Sequence, residues 1–266
     1  MIGLAPLFVR WASQDGMGPT GIGFWRTFLG FLVLFAWNRS LRAHPLHLLA
    51  GLFFAADLYC WHRSVIGIGA GPATLLANTQ VFWMGLIGIL VLGEPGGKRF
   101  WISLGMGVAG IWLLSGGLDP SRMDRIGLAY GLVTGAFYSA FLLTLRRAGG
   151  GPAGMALSSL SGALALGAVS FHEGDLGLPS FAAFLKLAAL ALLVQVLAWI
   201  VISENLPKVP ASRVGLLLLP QILLATMLGW LLFGETLTAL QTVGAGVTLA
   251  GVYLGALSRT KGTASA

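Results

Sequence analysis

The chain has 266 residues, 56% of them hydrophobic and only 9% charged, with a formal net charge of +7. Ordinary globular proteins carry about 25% charged residues, so these proportions exclude a soluble domain. With 39 Gly and 9 Trp they describe a polytopic helical membrane protein, in which Gly allows close helix approach and Trp favours the interface.

A bilayer span needs about 20 residues at 1.5 Å rise each. Apolar runs and breakers predict spans at 1–12, 19–37, 46–66, 72–92, 100–116, 126–145, 153–171, 182–203, 209–233 and 238–257. The breakers are rich in Gly and Pro: Gly16-Met17-Gly18-Pro19, Gly93-Glu94-Pro95-Gly96-Gly97 and Gly149-Gly150-Gly151-Pro152. The first run could cross only half the hydrocarbon core, so the expectation is a truncated or incomplete helix there. Met1 opens directly into apolar residues, without the basic start of a secretory signal. Cys60 is the single cysteine, which rules out an internal disulfide or thiolate metal site.

The basic residues lie in short loops, and their distribution sets orientation. A cytoplasmic N-terminus leaves Arg39, Arg42, Lys98, Arg99, Arg146, Arg147, Lys208, Arg259 and Lys261 inside. Outside it leaves Arg122 and Arg125, with Arg63 and Lys186 near the boundary and an acidic loop from His172 to Asp175. Both termini are therefore expected in the cytoplasm. The charge reads as an orientation signal, not as a nucleic-acid patch.

The stretch from Ala73 to Leu113 recurs from Val214 to Leu254 at one offset. Gln80 falls on Gln221, Gly93-Glu94 on Gly234-Glu235, Gly105 on Gly246 and Ala109-Gly110 on Ala250-Gly251. Aligning 68–113 with 209–254 gives 12 identities in 46 pairs. A repeat of five spans is odd-numbered, so its second copy must enter the membrane from the opposite side. The expected architecture is all-α, with ten transmembrane helices in two inverted repeats, residues 1–120 and 121–266, and a solute site between them near the midplane.

With these residues the chain resembles the EamA-type branch of the drug/metabolite transporter superfamily. The resemblance rests on the 5+5 plan, on Phe24-Trp25-Arg26 early in the second span, on Leu92-Gly93-Glu94 closing the fourth and on Phe233-Gly234-Glu235 closing the ninth. The run Phe53 to His62, followed by Ala73 to Asn78, is similar to one bacterial branch. The resemblance covers nearly the whole chain and implies export of amino acids or related compounds through the inner membrane. Departures are the short first span and Gln80-Val81, where a Pro-containing sequence is common.

Among single residues Asp57 stands out, because a carboxylate inside a span costs about 2.5–3.5 kcal/mol on insertion scales. It shares a helix face with Phe54, Trp61 and Ser64. It could hold a substrate amine or a proton, or form a structural ion pair with Arg26 or Arg10. For Arg26, structural pairing with Asp57 is the expected use, beside a substrate carboxylate or snorkelling. His62 points off the Asp57 face and could relay a proton or reach the interface. Thr74 and Asn78 begin a polar-to-small stripe continuing through Val81 and Gly85, and an amide at Asn78 suits a zwitterion. Gln195, Trp199 and Ser203 share one face; Tyr130, Thr134, Tyr138 and Phe141 share another. Of these, Tyr138, Gln195 and Trp199 are expected to join Asp57, Trp61, Thr74 and Asn78 at the solute. Gln80 and Gln221 are expected to point elsewhere. Glu94 and Glu235 follow helix ends and are expected to cap the next helix. The small-residue pairs Gly105/Ala109 and Gly251/Gly255 suit tight packing, including that of a homodimer.

The leading function is secondary transport of a small polar solute. An intramembrane enzyme is one alternative, but no His-Glu-x-x-His or Gly-x-Ser-x-Gly motif is present. A sensor or scaffold is another, without an evident output domain. No Walker A motif is present, and no cofactor is expected.

Overall fold

The computed structural model describes residues 1–90, 97–114, 124–206 and 220–258, and every regular element among them is helical. A 3-10 turn, Ile2–Leu4, leads into α1 (Ala5–Gln14), then α2 (Pro19–Asn38) and α3 (Leu46–Ile68). Next come α4 (Ala70–Ala77), α5 (Gln80–Leu90) and α6 (Lys98–Leu114). The second half holds α7 (Arg125–Ala148), α8 (Pro152–Glu173), α9 (Phe181–Asn205), α10 (Pro220–Phe233) and α11 (Ala239–Ser258). Four of these, α2, α7, α8 and α9, are long and apolar enough to cross a membrane. Phe35, Val133, Leu164, Phe171 and Leu192 lie exposed on them, as an apolar solvent allows.

The helix starts follow local chemistry. Pro19 and Pro152 occupy first-turn positions, where the missing N–H costs nothing. Asp124 accepts from the Ile126 amide (2.9 Å) and Ser180 from the Ala183 amide (3.2 Å). At α11, Thr238 and Gln241 exchange bonds in a capping box: Thr238 N donates to Gln241 Oε1 (3.0 Å) and Gln241 N to Thr238 Oγ1 (3.2 Å).

Two expectations need correction. The span at 72–92 is not one helix: it breaks at Asn78-Thr79. There Asn78 Nδ2 donates to the Thr74 carbonyl (2.7 Å) and Thr79 Oγ1 to the Leu76 carbonyl (2.6 Å), side-chain bonds that compete with the helical ladder. The span at 182–203 stands as the single apolar helix α9, within which Ala191–Ala198 winds as a π-helix. Finally, Glu235 does not cap the next helix, which has its own capping box. Its two carboxylate oxygens accept from the Ala70 amide at the start of α4 (3.1 Å each), and it pairs with Arg10. Glu94 and residues 209–219 of the expected ninth span lie outside the described residues.

Four pairings organise the bundle: α2 on α8, α3 on α7, α3 on α8, and α6 on α11. Glycines set the distances. A β-carbon on Gly51 would stand 2.2 Å from the Ser158 carbonyl oxygen, so α3 and α8 meet backbone to backbone. Gly110 packs on Gly244 and Thr248, while Gly251 packs on Ser103 and Gly107. Gly251 is thus used within the chain, whereas Gly105 faces open space.

Candidate functional site

Where these helices converge they leave a cavity of about 440 Å³, counted out to its mouth. Helical spacing explains the lining. Phe54, Asp57, Leu58 and Trp61 project from one face of α3, and Thr74, Ala77 and Asn78 from one face of α4. Arg26 comes from α2, Tyr138 from α7, Trp199 from α9 and Gln221 from the first turn of α10. Ile2, Ala5 and Pro6 close the remaining side. The short first segment therefore builds a wall of the cavity.

The aromatic wall is closely packed. Phe54 stacks on Phe141 with ring centroids 4.5 Å apart, and Trp199 stands edge-on to both, at 5.4 and 4.9 Å. All three are fully buried. Tyr138 adds a further edge contact to Trp199 at 6.1 Å. Offset and edge-to-face pairs of this kind each contribute about 0.5–1.5 kcal/mol beyond area burial.

The polar groups fall into two kinds. Some are fully occupied. Thr74 Oγ1 donates to the Ala70 carbonyl (2.7 Å), and Asn78 Oδ1 accepts from Gln221 Nε2 (3.1 Å), tying α4 to α10 across the helix break. Others are not. Arg26, 2% exposed, donates from Nε to Gln195 Oε1 (3.1 Å), yet its Nη1 is buried without a partner. The Trp199 indole N–H has none either, and the Tyr138 hydroxyl stands beside the Gln221 amide without a hydrogen bond of normal geometry. An unpartnered buried donor costs about 1–3 kcal/mol, and more when charged.

Asp57, 6% exposed, is the acidic member of the lining. The expected structural ion pair is absent: among the described residues no contact within 4.0 Å joins Asp57 to Arg26 or Arg10. Arg10 is engaged by Glu235 instead, and Arg26 is drawn toward α9 by Gln195. The Arg26 guanidinium sits 5.5 Å from the Phe54 ring centroid, a cation–π contact.

Of the residues singled out from the sequence, Asp57, Trp61, Thr74, Asn78, Tyr138, Trp199 and Arg26 meet at this cavity. Gln195 does not line it but stands behind Arg26, anchored by its own Nε2 to Ser159 Oγ (3.0 Å). The π-helix separates it from Trp199, because a wider turn rotates residues i and i+4 off a common face. His62 also lies off the lining: its Nδ1–H donates to the Pro19 carbonyl (3.0 Å). Seven lining residues were not among those singled out: the apolar Ile2, Ala5, Pro6, Leu58 and Ala77, together with Phe54, noted only as a neighbour of Asp57, and Gln221, expected to point away. The signal for Gln221 was its recurrence with Gln80 at the repeat offset.

The sequence model of the EamA-like transporter family matches residues 1–116 and 125–256. The threonine/homoserine exporter RhtA of Escherichia coli strain K12 is 29% identical over 244 residues, 88% of this chain and 80% of that protein. Its namesake in Salmonella typhimurium strain LT2 is 29% identical over 236 residues, 85% and 77% of the two chains. An uncharacterized transporter of Archaeoglobus fulgidus is 24% identical over 256 residues, 96% and 92%. One crystal structure of a protein superposes with a TM-score of 0.64 over 98% of this chain and 97% of that one, at 16% identity, a likeness of fold alone.

Proposed function

The chain belongs to the EamA-like transporter family, and from that membership we propose that it is a secondary exporter of small polar metabolites, amino acids or related compounds, across the cytoplasmic membrane. The observation that carries this reading is the cavity itself. Helices from both halves enclose it, and it presents Arg26 and Asp57 without joining them to each other. Charged groups buried among transmembrane helices normally pair or serve a solute path. The amino-acid class draws on the threonine/homoserine exporters that the chain is similar to.

Alternating access follows if residues 1–120 and 121–266 are inverted five-span repeats, giving ten spans with both termini in the cytoplasm. The packing of α6 on α11 supports this architecture. Gly110 contacts Gly244 and Thr248, and Gly251 contacts Ser103 and Gly107. Adding the repeat offset of 141 (235 − 94) to Gly110, Ser103 and Gly107 gives Gly251, Gly244 and Thr248. Each copy therefore uses the same positions on the other, in an antiparallel crossing, as a two-fold axis in the membrane plane requires.

The test is flux through proteoliposomes carrying the purified full chain, with labelled L-threonine and L-homoserine, with and without a pH gradient. Unmodified solute should cross faster than through empty vesicles. Chemical conversion of the solute, or no flux for any amino acid, overturns the proposal.

A further inference from the structure

The hydrogen-bond pattern leaves two opposite chemistries unpaired in the cavity. From α2 and α9 come Arg26 Nη1 and Trp199 Nε1, groups that can only donate. Both are buried and both lack an acceptor. The Tyr138 ring packs edge-on against Trp199. From α3 the opposite chemistry enters, the carboxyl of Asp57, which makes no hydrogen bond or ion pair with the described residues.

Opposite charges buried at one cavity would close on each other unless something held them apart. What holds Arg26 is Gln195. Its Oε1 takes the guanidinium Nε (3.1 Å) and its Nε2 is fixed on Ser159 Oγ (3.0 Å), so the amide cannot swing away without breaking both bonds. Gln195 sits inside the π-helical stretch of α9, and such stretches recur at functional sites. Gly30 on α2 gives it room: a β-carbon there would stand 2.4 Å from Gln195 Cγ. Two helices are thus adjusted to aim one guanidinium face into the cavity.

Resting on the transport reading above, we infer that the cavity recognises a free zwitterion by both its charges. The solute carboxylate is received by Arg26 Nη1 and Trp199 Nε1, and its ammonium by Asp57. Gln195 is a positioning residue that keeps the two charges of the protein apart. The remaining lining, with the Asn78–Gln221 amide pair (3.1 Å), then faces the solute side chain. A solute lacking either charge leaves one of these groups unpaired.

The experiment measures equilibrium binding of labelled L-threonine to the full chain in lipid nanodiscs, displaced by L-threonine methyl ester or by N-acetyl-L-threonine. The ester lacks the carboxylate, and the acetyl derivative lacks the ammonium. Against the wild type each should compete about 100-fold more weakly than L-threonine, the kind of discrimination shown by sites whose polar groups would be left unpaired. In Arg26→Gln the ester penalty should fall below about threefold while the acetyl penalty persists; in Asp57→Asn the pattern should reverse. If either variant binds nothing, Gln195→Leu decides, since it keeps both charges. It should weaken L-threonine about tenfold and leave the ester unchanged, and equal weakening of both overturns the inference. A wild type that takes the ester as readily as the free acid overturns the inference and leaves the exporter reading standing. A chain that moves other solutes but no amino acid in any form overturns both.

Discussion

Two regions of this molecule treat charge in opposite ways. In the cavity, Arg26 and Asp57 are buried and held apart. At the end of the bundle where α2 begins and α3 and α8 finish, charges are joined. Arg63 Nη2 meets both Glu173 oxygens (2.7 and 2.8 Å), Lys186 meets Asp15 (2.6 Å), and Arg10 meets Glu235. Asp175 accepts from the Thr20 and Gly21 amides (3.1 Å each), and Thr20 donates its hydroxyl to Glu173. Each ion pair among the described residues links the first half of the chain to the second. Partly hydrated pairs between two bodies hold one face shut and part at small cost. Separated charges buried at a cavity carry a desolvation cost that a pairing ligand can offset. Under alternating access, the joined end is the one that must open, and the separated charges are what the solute joins.

The largest expected effect comes from removing a separated charge. Asp57→Asn should lower solute flux about 100-fold, roughly 2.7 kcal/mol of lost stabilisation, while leaving the thermal unfolding temperature unchanged or higher. A buried charge without a partner contributes nothing to the fold, so flux and stability should come apart. A parallel fall in both, measured in proteoliposomes and by thermal unfolding in detergent, would show that Asp57 is a structural member after all.

The opposite signature is expected at Glu235. Glu235→Gln leaves Arg10 without its carboxylate and weakens the cap on Ala70. It should cost about 1–2 kcal/mol of stability. Solute affinity should stay within a few fold, because Glu235 does not line the cavity. A cysteine at Thr74 in a Cys60→Ser chain should react faster with an impermeant maleimide when Glu235 is changed, if the joined end is the gate. An unchanged rate would confine Glu235 to capping.

How much of this contrast was legible in the sequence depended on distance along the chain. Asp57 with Trp61, and Thr74 with Asn78, each lie within one helix, where 3.6-residue periodicity brings them to a common face. The structure does bring both pairs to one cavity. The repeat offset was equally legible, since it needs only identity at fixed spacing. The partners of Arg26 and Glu235 were not. Gln195 is 169 residues from Arg26 and comes into register through a π-helix that no periodicity announces. Glu235 caps a helix start 165 residues away, where local capping rules pointed to the next helix. The break at Asn78-Thr79 was hidden because both residues read as ordinary polar positions in an apolar run.

A finer comparison uses two glycines, one serving each region. Gly30→Ala would press on Gln195, with 2.4 Å between the new carbon and Cγ. Gly18→Ala would press on Asp175, with 2.3 Å to Oδ2. The first should raise the KM for L-threonine about tenfold, because the guanidinium is displaced by a fraction of an ångström. The second should leave KM alone and destabilise the start of α2 by about 1 kcal/mol. KM changes of equal size in the two variants would erase the division between the regions.

The smallest effect belongs to the Arg63–Glu173 pair, and it sets the scale for the whole joined end. Its side chains are 17% and 27% exposed, so water screens much of the attraction. A double-mutant cycle with Arg63→Gln and Glu173→Gln should return a coupling below about 1 kcal/mol that shrinks further at high ionic strength. Under alternating access, such a value is what a reversible contact between the two halves needs, because the cost of parting must be recovered on every cycle. A salt-independent coupling above about 3 kcal/mol, typical of fully buried pairs, would make this contact a permanent strut. The opening would then have to be sought elsewhere in the molecule.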